Sequence, residues 1–537
     1  MNTLHLNDTT EDIIAAAAVL RDGGLVAMPT ETVYGLAADA LNGSAVKRIF
    51  EAKGRPMDNP LIVHVAQFED INRLGLVSEI PEKARLLSEA FWPGPLTVIM
   101  PKGSVIPDEV SAGLDTVAVR IPSHPAAQRL LRVSGLALAA PSANTSGKPS
   151  PTTARHVADD MDGRIEAILD GGACSVGVES TVITLVGGVP RILRPGIITK
   201  EQLEAVIGTV EVDKAVLNQL EKDEKASSPG MKYKHYAPKA KVVLLRGGDD
   251  KYISYVNRAH RRDDTVAALC FDEDIPHLTA PYVSMGSVSD ESAQAHELFD
   301  ALRAVDGLGA GIVYAHCPSA QGVGMALYNR MIRAAAFEVI DLPSKRIIGL
   351  TGQTGSGKSE AARLLSEFGL HVVSADKAAR AAVELDEVKR ALCEAFGDVL
   401  LPDGGLDRRL VASIAFSTPE NTEKLNRITH PVISRLMLDE AEAAEGGTVV
   451  FDASQLFESG EDRYCDTIVS ILADRDIRIE RLKERDGLSK AEIELRMSAQ
   501  FDEEFFKACS DDIIINNGTA EEFRAAVRKL YERLVRL

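Results

Sequence analysis

The chain has few of the residues that build disulfide frameworks, zinc sites or membrane spans. Its 537 residues include six cysteines, and no two of them form a Cys-x-x-Cys pair. Scattered cysteines indicate free thiols rather than a disulfide framework or a zinc site. No apolar run approaches the ~20 residues that a membrane-spanning helix needs, and the first residues lack the basic and apolar regions of a signal peptide. We therefore expect a cytoplasmic protein with reduced thiols and no membrane attachment.

An excess of basic residues is also missing. Lys and Arg number 60 against 79 Asp and Glu, which gives a formal net charge of −19 at pH 7. This acidic balance argues against direct DNA binding and against a broad RNA-binding surface, although a phosphate site needs only a few local cations. The length exceeds what one hydrophobic core supports, so we expect three or four domains.

The strongest motif lies in the last third of the chain. Residues 352–359 fit the P-loop pattern GxxxxGK[ST], after an apolar run and before a helix-like run. This strand–loop–helix context favours a phosphate site over a plain Gly-rich turn. Lys358 would reach the transferred phosphate, and Ser359 would ligate Mg²⁺. The residues predicted to bind ATP in this loop are Gly352, Gln353, Thr354, Gly355, Ser356, Gly357, Lys358 and Ser359.

Hydrophobic periodicity and composition divide the chain into four segments, and the fold class is α/β throughout. Residues 1–210 alternate helices with buried strands, which predicts a mixed twisted sheet. Residues 211–240 read as a charged, helix-like stretch and then an extended linker whose aromatic and His side chains suggest contact with a functional site. Residues 241–343 predict a small doubly wound, Rossmann-like accessory unit without a dinucleotide-binding loop. Residues 346–537 predict a P-loop domain with a parallel sheet, a helix-rich region and a charged helical pair.

Cationic and hydroxyl side chains follow successive strand-like runs in residues 1–210. Cations at several strand ends could surround a polyphosphate, and the other groups could hold a small polar ligand. Any one of them alone could be a helix cap or a surface ion pair, but the set favours electrostatic positioning of a nucleotide over covalent catalysis. The cations are Lys53, Arg55, Arg120, Lys148 and Arg194, and the other groups are Thr32, His64, Ser142, Ser150 and Ser180.

Residues 9 to about 208 resemble the threonylcarbamoyl-AMP synthase family, with its YrdC-like fold. Lys53 with Arg55, and Ser142 with Asn144, match the KxR…SxN signature of that family. Residues 229–238 and the unit behind them are similar to the long, two-domain form. The resemblance implies that L-threonine, bicarbonate and ATP are converted into threonylcarbamoyl-AMP and pyrophosphate. The product would serve a separate transferase complex that modifies adenosine 37 of tRNA.

The same resemblance implies roles for individual residues. Lys53 would lie beside the phosphates or bicarbonate and act in catalysis together with Arg55, and the linker would close over the pocket through Tyr236. The threonine-binding residues would be Thr32, His64, Arg120 and Ser180. The ATP-binding residues would be Arg55, Asn59, Thr116, Ala140, Ser142, Ser150, Arg194 and Tyr236.

Residues around the P-loop narrow the choice of acceptor for the second site. Asp376 follows the second strand of this segment and could either orient an acceptor hydroxyl or cap the next helix. Arg481, Arg485 and Arg496 lie on the charged helical pair among glutamates. They could neutralise charge on the transferred phosphoryl group or be solvated helix charges.

Residues 346–537 are similar to the dephospho-coenzyme A kinase family. The matching residues are 349–352, 375–376 with Arg380, 406–408, 428–431, 456–460, 481–486, Arg496 with Gln500, and 515–518. The resemblance implies transfer of the ATP γ-phosphate to the ribose 3′-hydroxyl of dephospho-CoA, the last step of coenzyme A biosynthesis. Asp376 would be the base, Lys358 the phosphate clamp and Ser359 the Mg²⁺ ligand. The acceptor and lid residues would be Asp376, Arg380, His430, Arg485 and Arg496.

The residues also leave two alternatives open. The N-terminal part could be a double-stranded-RNA-binding or regulatory module, although its acidic balance and its small-ligand residues count against this. The kinase could phosphorylate a nucleoside monophosphate or a small hydroxy acid instead. Asp376, His430 and the lid residues argue against these acceptors. The leading hypothesis is a bifunctional enzyme whose two ATP sites work independently, because the two reactions share no intermediate.

Overall fold

The computed structural model describes residues 2–217, 236–487, 489–498 and 500–536. Contacts divide the chain into two compact units, which we call the first unit (Met1–Arg246 and Asp263–Ile340) and the second unit (Gly247–Arg262 and Asp341–Leu537). Most of the predicted linker, residues 218–235, lies outside the described residues. Among the described helices, none combines the length and the apolar character that crossing a bilayer requires.

The larger sheet of the first unit is mixed and has eleven strands. They are β1 (Leu4–Asn7), β2 (Val26–Met28), β3 (Gly35–Asp39), β4 (Ile62–His64), β5 (Leu96–Pro101), β6 (Thr116–Arg120), β7 (Leu138–Ala139), β8 (Ala167–Asp170), β9 (Thr181–Thr184), β10 (Arg191–Arg194) and β11 (Glu211–Val212). Their order across the sheet is β1-β8-β2-β3-β7-β4-β6-β5-β9-β10-β11. The mixed sheet predicted for residues 1–210 is confirmed.

Helices cover this sheet. They are α1 (Thr10–Arg21), α2 (Gly43–Lys53), α3 (Glu69–Arg73), α4 (Glu82–Phe91), α5 (Asp108–Ser111), α6 (Pro125–Ser134), α7 (Ala154–Met161), α8 (Lys200–Ile207) and α9 (Lys214–Leu217). Helix α6 shows how the sequence sets their limits, since Pro125 opens it and Gly135 ends it with a φ of 70°. The apolar faces of α1 and α6 pack together, and Ile13 and Leu130 belong to one buried cluster there.

Strand pairing in the larger sheet brings distant polar residues together. Strands β4 and β6 are parallel, and their register places His64 opposite Arg120 at the end of each strand. Strands β9 and β10 are antiparallel, so Arg194 at the end of β10 meets Val182 near the start of β9. Because side chains at strand ends reach past the packed sheet, both pairings deliver polar groups to its edge.

The predicted accessory segment contains a second, five-stranded sheet. In chain order its elements are β12 (Lys241–Arg246), α10 (Asp249–Arg262), β13 (Val266–Cys270), β14 (Tyr282–Ser284), α11 (Glu291–Ala304), β15 (Ile312–His316), α12 (Gly324–Ala334) and β16 (Val339–Asp341). The strand order is β14-β13-β15-β12-β16. This alternation of strands and helices agrees with the doubly wound unit predicted for residues 241–343.

The second unit is built on a parallel sheet that contains the P-loop strand. Its strands are β17 (Arg346–Gly352), β18 (His371–Ser374), β19 (Thr448–Asp452), β20 (Thr467–Leu472) and β21 (Asp512–Ile515), in the order β18-β19-β17-β20-β21. Its further helices are α13 (Lys358–Glu367), α14 (Ala375–Ala382), α15 (Asp386–Phe396), α16 (Arg408–Ala415), α17 (Pro419–Ala443), α18 (Leu456–Ser459), α19 (Arg475–Asp486), α20 (Lys490–Ser498), α21 (Glu503–Cys509) and α22 (Ala520–Arg536). The helix-rich region and the charged helical pair agree with the prediction.

Helix α10 belongs to the second unit by its contacts, although β12 and β13 on either side of it belong to the first. Within the second unit, buried Arg258 donates hydrogen bonds to the carbonyls of Cys465 and Asp466 and to the carboxylate of Asp511. Asp466 accepts a hydrogen bond from the amide of Ile347 as well. These contacts join α10 to the residues that precede β20 and β21 and to the start of the P-loop strand.

Candidate active sites

A small cavity of about 60 Å³ lies at the sheet edge of the first unit where β4 and β6 end. Eight of the predicted ligand-binding residues line it. They are Thr32, Arg55, His64, Arg120, Ala140, Ser142, Arg194 and Tyr236. These residues are separated by up to 204 positions in the chain, and the fold collects them around one space.

Six other predicted residues of this site are not among the described residues that line the cavity. One of them, Lys148, forms an ion pair with Asp160 instead. Lys53, Ser150 and Ser180 are buried and hydrogen-bonded to residues that do line it. Asn59 is fully buried, immediately before cavity-lining Pro60. Thr116 starts β6 and therefore lies about 13 Å along that strand from Arg120.

Arg120 is the cation at the centre of the predicted threonine-binding group. Its guanidinium donates a hydrogen bond of 2.8 Å to the hydroxyl of Thr32 and forms a 2.8 Å ion pair with Glu31. Burial alone would raise the pKa of Glu31, but the charge of Arg120 and the hydrogen bonds from Arg120 and the backbone together outweigh burial and hold that pKa below its usual value. Both side chains are almost completely buried, so the pair fixes the guanidinium in one position.

His64 lies beside this pair and is neutral in the folded protein. Burial, assisted by the positive charge of Arg120, lowers the pKa of His64 to about 3. A neutral imidazole can donate one hydrogen bond and accept another, which suits recognition of a small polar ligand.

The signature residues are joined directly. The buried ammonium group of Lys53 donates hydrogen bonds to the carbonyls of Ser142 and Asn144. The hydroxyl of Ser142 donates a 2.6 Å hydrogen bond to the side-chain oxygen of Asn144. Burial, with the nearby charge of Arg55, moves the pKa of Lys53 well below its usual value. Lys53 therefore anchors the 142–144 loop behind the cavity.

The opposite wall of the cavity is held by Arg194. Its guanidinium donates hydrogen bonds of 3.1 Å to both the carbonyl and the hydroxyl of Ser180. That hydroxyl also shares a 2.7 Å hydrogen bond with Thr97. Burial lowers the pKa of Arg194 to about 10, so its charge persists at neutral pH. Tyr236, whose ring lies 5.1 Å from that of Phe299, completes this side.

Sequence reasoning missed two carboxylates of this site. Glu31 pairs with Arg120, and Glu179 lines the cavity and accepts a 2.6 Å hydrogen bond from Ser150. Each directly precedes a predicted ligand-binding residue, Thr32 or Ser180. Buried carboxylates beside cations would have been the signal, but burial is visible only once the sheet is assembled.

The second unit has a much larger cleft, of about 760 Å³, at the P-loop. The predicted residues that line it are Gly352, Gln353, Thr354, Gly355, Gly357, Lys358, Ser359, Asp376, Arg485 and Arg496. Ser356 is fully buried under the loop, and neither Arg380 nor His430 is among the described residues lining the cleft. Ser454 and Gln455, which directly precede α18, do line it.

Two glycines show why the loop needs its sequence. Gly352 lies so close to the neighbouring strand β20 that a Cβ would come within 2.2 Å of the carbonyl oxygen of Ile471. Gly357 has a φ of 103°, which side-chain-bearing residues rarely adopt. The loop can therefore turn tightly and present its amides at the start of α13.

Lys358 and Ser359 face the cleft beside a carboxylate that sequence reasoning did not include. The ammonium group of Lys358 forms an ion pair with Asp452 at the end of β19. A serine hydroxyl and a carboxylate are the oxygen ligands that Mg²⁺ prefers. The donor set at this end of the cleft therefore fits a Mg²⁺–nucleotide complex.

The helical pair lines the cleft beside the P-loop, and its residues Arg478 and Leu482 lie next to Gly355. Gln500 accepts a 2.7 Å hydrogen bond from the amide of Thr354, which ties the end of the pair to the P-loop. Arg485 and Arg496 both form ion pairs with Asp486. Arg481 also lines the cleft. Cationic side chains of the helical pair thus line the same cleft as the phosphate-binding loop.

Asp376 lies in the first turn of α14 and faces the same cleft. The N-cap of that helix is Ser374, so the alternative of a capping role for Asp376 is wrong. Arg380 follows one turn later on the same face. His430 lies in α17, and partial burial lowers its pKa.

The chain has two candidate sites, one a small polar cavity on a mixed sheet and the other a P-loop cleft on a parallel sheet. Three family models match the chain. One described as telomere recombination, the Sua5/YciO/YrdC group, covers residues 18–196. The C-terminal domain of threonylcarbamoyl-AMP synthase covers 198–336, and dephospho-CoA kinase covers 346–522.

Individual relatives agree with these matches. A threonylcarbamoyl-AMP synthase of Bacillus subtilis is 48% identical over 63% of this chain and 97% of the relative. A dephospho-CoA kinase of Corynebacterium glutamicum is 41% identical over 35% of this chain and 96% of the relative. A crystal structure of Pyrococcus abyssi Sua5 complexed with L-threonine is 43% identical and covers 64% of this chain and 100% of that one, with a TM-score of 0.59.

The chain belongs to the threonylcarbamoyl-AMP synthase family through its N-terminal part and to the dephospho-CoA kinase family through its C-terminal part. It is therefore an ATP-using enzyme that combines a transferase with a kinase. The family match extends to residue 336, which leaves the alternative of an RNA-binding N-terminal module without support.

Proposed function

We propose that the first unit converts L-threonine, bicarbonate and ATP into threonylcarbamoyl-AMP and pyrophosphate, and that the second unit transfers the γ-phosphate of ATP to the 3′-hydroxyl of dephospho-CoA. The observation that carries both assignments is the meeting of sequence-distant predicted residues around one cavity in each unit. Relatives covered over 96% and more of their length carry these two names.

In the first site, we assign the carboxylate of threonine to Arg120, which Glu31 and Thr32 hold in place. Neutral His64 and buried Ser180 would complete the threonine-binding group. ATP would be held by Arg55, Asn59, Thr116, Ala140, Ser142, Ser150, Arg194 and Tyr236. The amine of threonine bonds to the carbon of bicarbonate, which loses water, and this gives a carbamate. A carbamate oxygen then bonds to the α-phosphorus of ATP as the bond to pyrophosphate breaks. Lys53 and Arg55 would stabilise the negative charge that develops on the phosphates.

In the second site, the P-loop amides and Lys358 would hold the β- and γ-phosphates of ATP. Ser359 and Asp452 would hold Mg²⁺, which neutralises phosphate charge when bound. Asp376 would accept the proton of the 3′-hydroxyl as that oxygen bonds to the γ-phosphorus and ADP leaves. Arg485 and Arg496 would neutralise the transferred group, while Arg380 and His430 would contact the acceptor.

We also propose the cellular setting that these reactions imply. The threonylcarbamoyl-AMP product would pass to a separate complex that modifies tRNA, and the protein would work in the cytoplasm. The proposed functional segments are 1–210 for the synthase, 211–240 for the linker, 241–343 for the accessory unit and 346–537 for the kinase.

The test measures two products from the full chain and from Lys358→Ala. ADP formation is followed with ATP, Mg²⁺ and dephospho-CoA, and pyrophosphate release with ATP, L-threonine and bicarbonate. We expect Lys358→Ala to lose ADP formation on the order of 10²- to 10³-fold while pyrophosphate release stays unchanged. Each assay is repeated with the other site's substrates present, and we expect the rates to be independent. Absence of dephospho-CoA-dependent ADP from the unaltered chain would contradict the kinase assignment.

A further inference from the structure

A guanidinium group from the accessory segment lies deep inside the first unit. Arg330 in α12 has 0% of its surface exposed, which makes it the largest fully buried side chain among the described residues. A buried charge is strongly unfavourable unless it is paired and its hydrogen bonds are satisfied. The partners of Arg330 therefore show which part of the fold depends on it.

Arg330 contacts two segments that each adjoin a proposed ligand-binding residue. Its Nε donates a 3.0 Å hydrogen bond to the carboxylate of Glu179, and its Nη2 donates a 3.3 Å bond to the carbonyl of the same residue. Its Nη1 donates to the carbonyl of Pro195. Glu179 directly precedes Ser180, and Pro195 directly follows Arg194. One planar side chain therefore joins the start of β9 to the end of β10.

The same pair reaches a third proposed ligand-binding residue. The second carboxylate oxygen of Glu179 accepts a 2.6 Å hydrogen bond from buried Ser150. Ser180 and Arg194 are bonded to each other on the far side of Glu179. Ser150, Ser180 and Arg194 thus all depend on where the Glu179 carboxylate and its backbone lie.

We infer that Arg330 is a positioning residue of the synthase site and that the accessory segment completes that site by supplying it. Arg330 sets the orientation of Glu179 and, through it, the groups that bind ATP and threonine. The inference rests on the ligand-binding residues proposed above. It gives residues 241–343 a role in the synthase reaction although the cavity has no lining residue from α12 among those described.

A purely structural role would also destabilise the protein when Arg330 is changed, so the test separates binding from folding. Arg330→Met leaves Glu179 buried without its partner, Arg330→Lys keeps the charge but loses the forked geometry, and Glu179→Gln/Arg330→Met removes both charges. Asn329→Leu is the matched control, because buried Asn329 lies in the same helix and donates a hydrogen bond to the carbonyl of Val216, away from the cavity.

For each variant, the KM values of ATP and L-threonine, the kcat of pyrophosphate release, calorimetric binding of L-threonine and the unfolding temperature are measured on the full chain. Kinase activity in the same preparation reports on the second unit. We expect the double variant to recover the unfolding temperature but to keep a KM for ATP or threonine that is raised about 10- to 100-fold. Arg330→Lys should give a smaller rise in KM. Asn329→Leu should keep both KM values within twofold of those of the unaltered chain, and the kinase rate of every variant should also stay within twofold.

Recovery of both stability and KM in the double variant would overturn the positioning role. Arg194→Ala separates this failure from a failure of the proposed site. If Arg194→Ala raises KM while the double variant does not, the site stands and the role of Arg330 is wrong. If Arg194→Ala leaves both KM values unchanged, the proposed ligand set itself is wrong, and the inference about Arg330 falls with it.

Discussion

The two ATP sites of this chain differ in how far their cations are already paired. In the first unit, Arg120, Arg194 and Lys53 are buried, and each holds partners within the protein. In the second unit, the side chains of Arg485 and Arg496 are 60% and 57% exposed and share one aspartate on their own helical pair. On the proposed roles, the synthase site is preorganised, whereas Arg485 and Arg496 would exchange their ion pairs with Asp486 for contacts with phosphate.

The two sites also differ in volume, and the site with the buried, paired cations is the smaller one. The synthase cavity of about 60 Å³ is far smaller than the ~300–1,000 Å³ of typical small-molecule sites, and the kinase cleft of about 760 Å³ lies within that range. ATP bound at this cavity as proposed would need more space than the cavity offers here, whereas the cations around it are already held by partners within the protein. The kinase has room for its substrates but must order its cations around them.

The largest expected effect comes from breaking a preorganised pair. Arg120→Met would leave Glu31 buried without its partner, which costs about 3–5 kcal/mol in comparable buried pairs. If half of this appears in ligand binding, the KM for L-threonine rises roughly 10- to 60-fold. Steady-state pyrophosphate release over a range of threonine concentrations measures it.

Arg129→Met provides the control for this change, because Arg129 is an arginine of the same unit whose ion pair with Asp8 lies at the surface. Surface pairs contribute little, so its KM for threonine should stay within twofold. A rise of less than fivefold in folded Arg120→Met would show that preorganisation of this pair does not govern threonine binding.

Local sequence patterns predicted the scaffold of both sites well. The apolar runs at 266–270, 448–452 and 467–472 coincide with β13, β19 and β20 residue for residue. A buried strand needs a continuous apolar run between polar turns, so the first and last residues of the strand can be predicted from the local sequence. The P-loop was equally accessible because its glycines and lysine are consecutive.

The partners of the buried cations were not predictable in the same way. Arg330 and Glu179 are separated by 151 positions, and a single sequence contains no signal that joins them. Helix α10 was expected to stay with the strands beside it, yet Arg258 places it among residues of the second unit. These contacts depend on which charged side chains are paired when they are buried, and the pairing is set by the tertiary structure rather than by neighbouring residues in the sequence.

An intermediate effect is expected from ionic strength, which should act on the exposed cations of the kinase lid. Charges at the surface are screened over about 10 Å at 0.1 M salt, and buried pairs are screened much less. Raising KCl from 50 to 300 mM should lower the kcat/KM of the kinase several-fold and that of the synthase by less than twofold. Arg485→Met/Arg496→Met should lower the kinase rate and remove most of its salt dependence.

Arg427→Met is the control for the lid variant, because Arg427 is an exposed arginine of α17 paired with Glu423. It should leave the salt dependence as it was. Equal salt dependence of the two activities in the unaltered chain would contradict the difference between a preorganised and an exposed set of cations.

The smallest expected effect concerns pH. Titration of His64 should not change the activity of the synthase site. Because the pKa of His64 is about 3 in the folded protein, this side chain stays neutral from pH 5.5 to 8.5 and should add no titration to the synthase profile. Below pH ~6.5 the unfolded chain binds a proton at this histidine that the native protein refuses. The stability contributed by the neutral imidazole is therefore lost as pH falls from about 6.5 towards 3.

His64→Gln should flatten the fall of the unfolding temperature between pH 6.5 and 4.5, whereas His5→Gln, at an exposed position in β1, should leave it unchanged. A steeper fall in His64→Gln would mean that the folded site holds a charged imidazole.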